Sequence, residues 1–466
     1  MPQNYVLLDS ISLTVDTASV VFDNLPTSGY NDLKIVMSTR TSGVSSGTST
    51  YQERANIVFN GSSTGYSEKW LQGEAANTVN SGNAYFGITN KGLAGTTVPS
   101  DWSTNANINA SMFNNAEIYI PNYRSATTNK VWSVDCASPN NSSTRQSLMM
   151  AYCLWASNDA ITSITLSPQA NSWVANSTFS LYGLASVGTT PSIGPLASGG
   201  NRISTDGTYW YHEFLASGNF VPFKALTCDY LVIAGGAGGG NNYGGGGGAG
   251  GYRSTVGTSG GGASAETALS LSTDVRYIVQ VGAGGVGVEG NAGNNGTASI
   301  FSTITTVGGG TGGGPGINGT EGGSGGGAGG ASSGSGGGGA GTTNQGFAGG
   351  GRFGQAAVGP AGGGGGAGSA GTNATSSQGG AGGNGVSSSI TGTAVTRAGG
   401  GGGGVITGTG GAAGTGGAGA GVSGNNKGGN AVTNTGSGGG GGGEGAAARG
   451  GNGASGIVIV RYLANS

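Results

Sequence analysis

Charge is scarce in this chain: Asp, Glu, Lys and Arg make up 8% of 466 residues, and the 17 basic and 19 acidic side chains leave a formal net charge of -2. Nucleic acid and anionic membranes call for clustered Lys and Arg. No such cluster occurs, so neither is an expected partner. Histidine occurs once, as His212. A Ser-His-Asp site would have to be built on it within "WYHEF", where strand alternation makes His212 a half-exposed neighbour of Tyr211 and Glu213. Carboxylates are too sparse for a convincing acid pair, and Asp206 and Glu213 read as ordinary surface groups rather than a glycosidase dyad. The cysteines Cys136, Cys153 and Cys228 match no zinc spacing and read as reduced, buried thiols, with a Cys136–Cys153 bridge as the alternative. No catalytic residue, metal site or cofactor is therefore expected. No segment offers about 18 unbroken apolar residues, and "MPQNYVLLDSISLTV" lacks the flank and core of a signal peptide. The expectation is a protein made in the cytoplasm, with no membrane insertion.

What is present divides sharply along the chain. All six tryptophans lie at or before Trp210, whereas glycine, 109 residues in all, dominates beyond about residue 235. Residues 1–186 read as an all-β domain, a sandwich or jelly roll, because short apolar runs such as "DLKIVMSTR", "RANIVFNG", "AEIYIPNY" and "QSLMMAYCLWAS" alternate with Ser, Asn, Gly and Pro. Residues 187–203 read as a linker with two prolines. Residues 204–466 form a second domain that opens on "GTYWYHEFLASGNFVPF", read as a hairpin. It then carries strands at 229–235, 275–285, 298–310 and 455–463, with some 145 Gly-, Ala-, Ser-, Thr- and Asn-rich residues before the last. A stretch that ends in a strand leaves a small sheet and returns to it.

Glycine loses more conformational freedom on folding than any other residue, so its abundance needs a cause. Collagen is excluded: only Pro315 and Pro360 fall within 235–454 and glycine comes in blocks. The match of "GAGGVG" at 282–287 to a phosphate-binding loop is expected by chance here, and no helix follows it. A disordered linker is the plain alternative. The favoured reading is a bundle of extended three-residue-per-turn helices, the polyglycine relative of polyproline II, hydrogen-bonded side by side. Only glycine lets backbones approach that closely.

The ordered set "YWYHEFLASGNF", "DYLVIAGGAGGG…GGGGGAGGYRS", "VRYIVQVGAGG" and "GASGIVIVRY" resembles the glycine-rich module of bacteriophage tail-fibre and other virion-surface proteins, over roughly residues 205–463. The layout is more loosely similar to the polyglycine bundles of T-even-type tail-tip adhesins and of anaplastic lymphoma kinase. The segments "FDNLPTSGYNDLKIVMSTR", "NIVFNG", "IYIPNY" and "STFSLYGLAS" resemble a β-sandwich module of phage structural proteins. These resemblances imply a non-enzymatic protein of the virion surface: a tail fibre or adhesin that binds a host glycan or outer-membrane protein, or a capsid decoration or head fibre with a structural role. Other tail or capsid proteins would be its partners. A homotrimer is common among fibres, but a glycine bundle can also be satisfied within one chain, and no heptad repeat forces a trimer. Candidate receptor contacts are the bulky or polar residues in two expected tip loops, Asn344, Gln345, Phe347, Arg352 and Phe353 in 342–355 and Asn425, Asn426 and Lys427 in 425–436. Trp102, in "PSDWSTN", is added as a loop-borne aromatic.

Overall fold

The computed structural model describes residues 5–23, 25–44, 53–74, 78–82, 90–101, 112–138, 147–186, 194–288, 292–331, 336–354, 359–445 and 448–466. It is all-β, with no α-helix among those residues. The chain divides into two compact units, one of residues 1–196, 201–210 and 463–465, the other of 197–200, 211–462 and 466.

The first unit contains β1 (Tyr5–Ser12), β2 (Val20–Phe22), β3 (Tyr30–Val44), β4 (Glu53–Phe59), β5 (Tyr66–Glu74), β6 (Thr78–Gly82), β7 (Gly92–Asp101), β8 (Asn114–Ile120), β9 (Lys130–Ser138), β10 (Ser147–Trp155), β11 (Ile164–Pro168) and β12 (Thr178–Ala185). One antiparallel sheet runs β6–β5–β10–β9–β8–β3–β12–β1. A second runs β7–β4–β11–β2. Period-2 alternation sorts the faces: on β10, Met149, Ala151, Cys153 and Trp155 are buried while Leu148, Met150 and Tyr152 are exposed. The inward side chains of both sheets make one core. Trp132 of β9 meets Phe59 of β4 edge-on at 5.1 Å, and its indole N–H donates to the Leu93 carbonyl at 2.8 Å. Gly92 is required there, since a β-carbon would overlap the Trp132 ring. Across the sheets, buried Arg54 donates to both oxygens of Glu68, at 2.5 and 2.8 Å, and to Asn56 Oδ1 at 2.7 Å. The three cysteines are free and buried.

Of the expected linker, residues 187–193 lie outside the described residues. The remainder holds two short strands, β13 (Ala197–Ser198) and β14 (Arg202–Thr205), the latter paired with β1. Arg202 also forms an ion pair with Asp9 at 2.7 Å.

The second unit adds β15 (Tyr209–Phe214), β16 (Gly218–Pro222), β17 (Leu226–Ile233), β18 (Tyr252–Ser254), β19 (Leu269–Leu271), β20 (Tyr277–Gln280), β21 (Ser299–Phe301), β22 (Ile304–Thr306), β23 (Val386–Ser388), β24 (Val395–Arg397) and β25 (Ile457–Leu463). The expected hairpin at 207–223 does not form: β15 pairs with β25, whereas β16 lies between β13 and β20 in a five-stranded sheet. The "ASGN" turn therefore passes the chain from one sheet to another. β17 and β25 pair antiparallel from Asp229↔Arg461 to Ile233↔Ile457, so the glycine-rich stretch does return to the sheet it leaves. Leu231, Ile233, Tyr252, Val386, Ile390, Ile457 and Ile459 form a small apolar core with Ala249, Ala367 and Ala398, three alanines at the frame ends of glycine runs.

Between those strands the backbone is itself the packing surface. In the run 244–251, Gly244, Gly247 and Gly250 donate to Gly442, Gly439 and Gly436, while Gly245, Gly248 and Gly251 donate to Gly313, Gly310 and Val307. Gly246 and Ala249 donate to Gly362 and Gly365. The carbonyls of Gly244 and Gly247 accept from Gly404 and Gly401, those of Gly245 and Gly248 from Gly240 and Ala237, and those of Gly246 and Ala249 from Gly327 and Ser324. These bonds measure 2.8–3.1 Å, and the direction of both donor and acceptor recurs every third residue. One run thus donates to three neighbouring runs and accepts from three others, some parallel and some antiparallel.

None of Gly244 to Gly248 has a positive φ, so glycine is not needed here for left-handed backbone. It is needed for approach. A β-carbon at Gly245, Gly246, Gly247 or Gly248 would overlap the carbonyl oxygen of Gly327, Gly401, Ala237 or Ser324 respectively. Unbroken glycine blocks (244–248, 362–366, 399–404, 438–443) mark runs enclosed in this way. Where a run meets solvent, side chains return: in 409–415, Gly411 and Gly414 are buried and bonded to Gly403 and Gly400, while Ala412, Ala413 and Thr415 are exposed.

Candidate functional site

The runs shuttle between two ends of the glycine-rich unit. At one end they continue into the strand frame; at the other they reverse in short loops. The distal loops include 241–243, 315–318, 374–378, 405–409, 424–427 and 443–445, tied to one another by bonds such as Asn242 N–H to Ala448, Gly330 N–H to Tyr243, Gly316 N–H to Gly330 and Gly443 N–H to Asn426. Side chains there are short and polar, as a reversal next to solvent permits: Asn242 and Tyr243 both adopt positive φ (48° each), and Asn242 Oδ1 accepts from the Gly445 N–H at 3.3 Å. Asn425, Asn426, Lys427, Glu444, Ile317 and Asn318 are exposed.

The stretch 342–355, read from sequence as one tip loop, is not one. Thr342 to Gln345 form a tight turn at the strand-frame end, with Asn344 exposed at φ 60° and the Gln345 N–H bonded to Thr342. Gln345 is structural: its side-chain oxygen accepts from the Val307 N–H at 2.9 Å, and its carbonyl accepts from Tyr252. Phe347 is half-buried as the run enters the bundle, where Gly349 and Gly350 bond to Gly339 and Gly363. Only at Arg352 and Phe353 does the chain reach the distal end, seven residues and roughly 20 Å beyond Gln345. The glycines between them carry the run through the packed interior, which is why one stretch of sequence serves both ends. Arg352 Nη1 lies 3.3 Å from Asn318 Oδ1, and Phe353 N–H donates to Pro360.

The distal end therefore gathers Arg352 and Phe353 with Asn425, Asn426 and Lys427, whereas Asn344, Gln345 and Phe347 belong to the opposite end. Asn426 also closes its own turn, its amide donating to the Ser423 carbonyl at 2.8 Å. Trp102 lies outside the described residues. Tyr243, a bulky interruption of the glycine field, lies at the distal end, and its neighbour Asn242 was missed, although the "NNY" interruption between two glycine blocks was the signal that could have found it.

His212 is not half-exposed; it is fully buried. Its Nδ1–H faces the Gly199 carbonyl at 2.6 Å, so the other nitrogen, Nε2, accepts from the Tyr462 hydroxyl at 3.0 Å, and Phe220 packs edge-on at 5.1 Å. Burial pushes its pKa down to about 4 against the Gly199 bond, which acts the other way. The ring is a neutral core member. Tyr252 is likewise buried, and Arg253 pairs with Glu266 at 2.7 Å, stapling β18 to the frame. Among the described residues no cluster of three or more His, Cys, Asp or Glu has metal-binding geometry.

A family model described as a glycine-rich domain matches residues 215–463. No curated protein matches the chain.

Proposed function

The chain belongs to the glycine-rich domain family, and from that premise we propose that it is a non-enzymatic virion-surface protein of a bacteriophage, a tail fibre or adhesin that contacts the host cell by non-covalent binding. In this reading the glycine runs are polyglycine II helices in a near-hexagonal bundle; the three-residue recurrence of hydrogen-bond direction and the donation to three neighbours and acceptance from three others support it. The N-terminal unit is read as a jelly-roll-like sandwich. The observation that carries the functional proposal is the division of labour within the glycine-rich unit: an interior packed mainly through glycine backbone, whose far end presents short polar and aromatic side chains. Polar loops on a fixed scaffold lose little entropy on binding. Contacts by Arg352, Phe353, Asn425, Asn426 and Lys427 would be individually weak, and several copies per virion would supply avidity to a surface glycan or outer-membrane protein.

The test is competition. Purified full chain should block adsorption of the phage that encodes it, and the triple substitution Arg352→Ala, Asn426→Ala, Lys427→Ala should remove the block while lowering Tm by only a few degrees, since the turn bond of Asn426 and the contact of Arg352 with Asn318 are lost. Full blocking by the triple variant would refute the distal end as the contact. Immunogold labelling over the head, rather than at tail or fibre tips, would favour the capsid-decoration role.

A further inference from the structure

The outward face of the larger sheet in the N-terminal unit carries large apolar side chains on adjacent strands. Leu71 of β5 is 51% exposed, Leu148, Met150 and Tyr152 of β10 are 56%, 45% and 67% exposed, and Val131 of β9 is 48% exposed. Register places Leu71 beside Met150 and Val131 beside Leu154, so they form one patch rather than scattered residues. A groove of about 660 Å³ adjoins it, lined in part by Ser67, Lys69, Val131, Ser133 and Leu154 with Tyr152 at its wall. The face thus holds both a protruding ring and a depression. Strand spacing and rise give β5, β10 and β9, the three strands that carry these side chains, a footprint of about 14 by 30 Å, or roughly 400 Å². That is about half of the roughly 800 Å² each partner buries in a stable interface, the scale of a weak, reversible contact. Aliphatic side chains dominate the patch, which favours a protein surface over a sugar.

Charge identifies the partner. Lys69 lies on β5 opposite Tyr152, and Asp135 lies on β9 opposite Met150, so opposite charges flank β10 on its two sides. A two-fold axis along β10 exchanges those sides. It brings Lys69 of each copy over Ser133 on β9 of the other, two residues along the strand from Asp135 and within reach of a lysine side chain, while the β10 rows meet at the centre. A self-complementary surface of this kind is what an isologous contact requires. We propose that this face is a dimer interface between two copies of the chain. The inference rests on the N-terminal unit alone and is independent of the distal loops.

Sedimentation velocity of the full chain across the micromolar range tests it. The expected result is a reversible dimer. Tyr152→Glu and Met150→Glu, both at exposed positions, should each raise the dimer dissociation constant at least about a hundredfold. Lys69→Glu should raise it by about tenfold, and Lys69→Glu with Asp135→Lys should restore it. Unchanged melting profiles establish that each variant is folded. A wild-type monomer, a trimer, a dimer that survives Tyr152→Glu, or a charge swap without rescue would each overturn the proposal. A monomer whose Tyr152→Glu variant fails to enter virions would assign the face to another virion protein instead.

Discussion

Replacing one enclosed glycine by alanine isolates the physics of the glycine-rich unit, because the change adds a single methyl group. Gly401 donates to Gly247 at 2.9 Å and accepts from Gly364 at 2.8 Å, and a β-carbon on it would overlap the Gly439 carbonyl oxygen. Relief requires the neighbouring run to withdraw far enough to break bonds. Those at risk are the two made by Gly401 and the two made by Gly439, to Ala237 and from Gly247. At about 1 kcal/mol net per bond, and more where a buried group is left unpaired, the loss is about 4 kcal/mol. For a unit of this size that corresponds to a fall of roughly 8–16 °C in Tm. The control is Gly337, which is exposed, has no positive φ and has open space where a β-carbon would sit. Gly337→Ala should be neutral or stabilising by up to about 1 kcal/mol, through the unfolded chain. Differential scanning calorimetry of the two variants reads both effects. If Gly401→Ala melts like wild type, or Gly337→Ala costs as much as Gly401→Ala, enclosure of the runs is not what demands glycine.

Acid should weaken the unit that holds His212. The folded pKa is about 4 against an ordinary 6.5, so the neutral ring contributes stability that is complete above about pH 7 and lost as pH falls from 6.5 towards 4. The loss is about 3 kcal/mol, and a His212→Gln variant followed by pH-dependent denaturant titration should lack that slope. Burial pushes the Cys153 and Cys228 thiols up to about 12, so a chromogenic disulfide reagent at pH 8 should leave both unmodified until the protein unfolds. Rapid labelling of the native protein would contradict their burial. Glu68→Gln leaves the guanidinium of buried Arg54 without its counter-charge and should destabilise the N-terminal unit by about 3–5 kcal/mol, read from denaturant unfolding followed by tryptophan fluorescence. A change below about 1 kcal/mol would mean the pair is exposed in solution.

Strands with strong alternation were legible: β3, β4, β8 and β10 fall on apolar runs picked out by period alone. β5 and β7 were not, because "YSEKWLQGE" and "GLAGTTVPSD" bury a charged Glu68 and small residues such as Ala94 that no hydrophobic pattern marks. The closing strand β25 was legible from "GIVIVRY", and with it the return of the glycine stretch to its sheet. The order of the runs was not. Which run bonds to which depends on backbone groups identical in every glycine, so 342–355 could not be recognised as crossing from one end to the other. His212 was misplaced for a different reason: it shares the period-2 face of the buried Trp210 and Phe214, whereas the opposite face carries the half-buried Tyr209 and Glu213, so its polarity was weighed above its register.

The central claim is that glycine runs lying outside the β-strands, hydrogen-bonded to one another through their backbones, form the packed interior of the glycine-rich unit. Amide hydrogen exchange of the intact protein tests it most directly. The account predicts that amides in 244–251, 399–404 and 437–442 exchange as slowly as those of β17 and β25, requiring unfolding of the unit, while exposed positions such as Gly337 and Lys427 exchange rapidly. Glycine-run amides that exchange at the rate of an unstructured chain while β17 and β25 stay protected would contradict it.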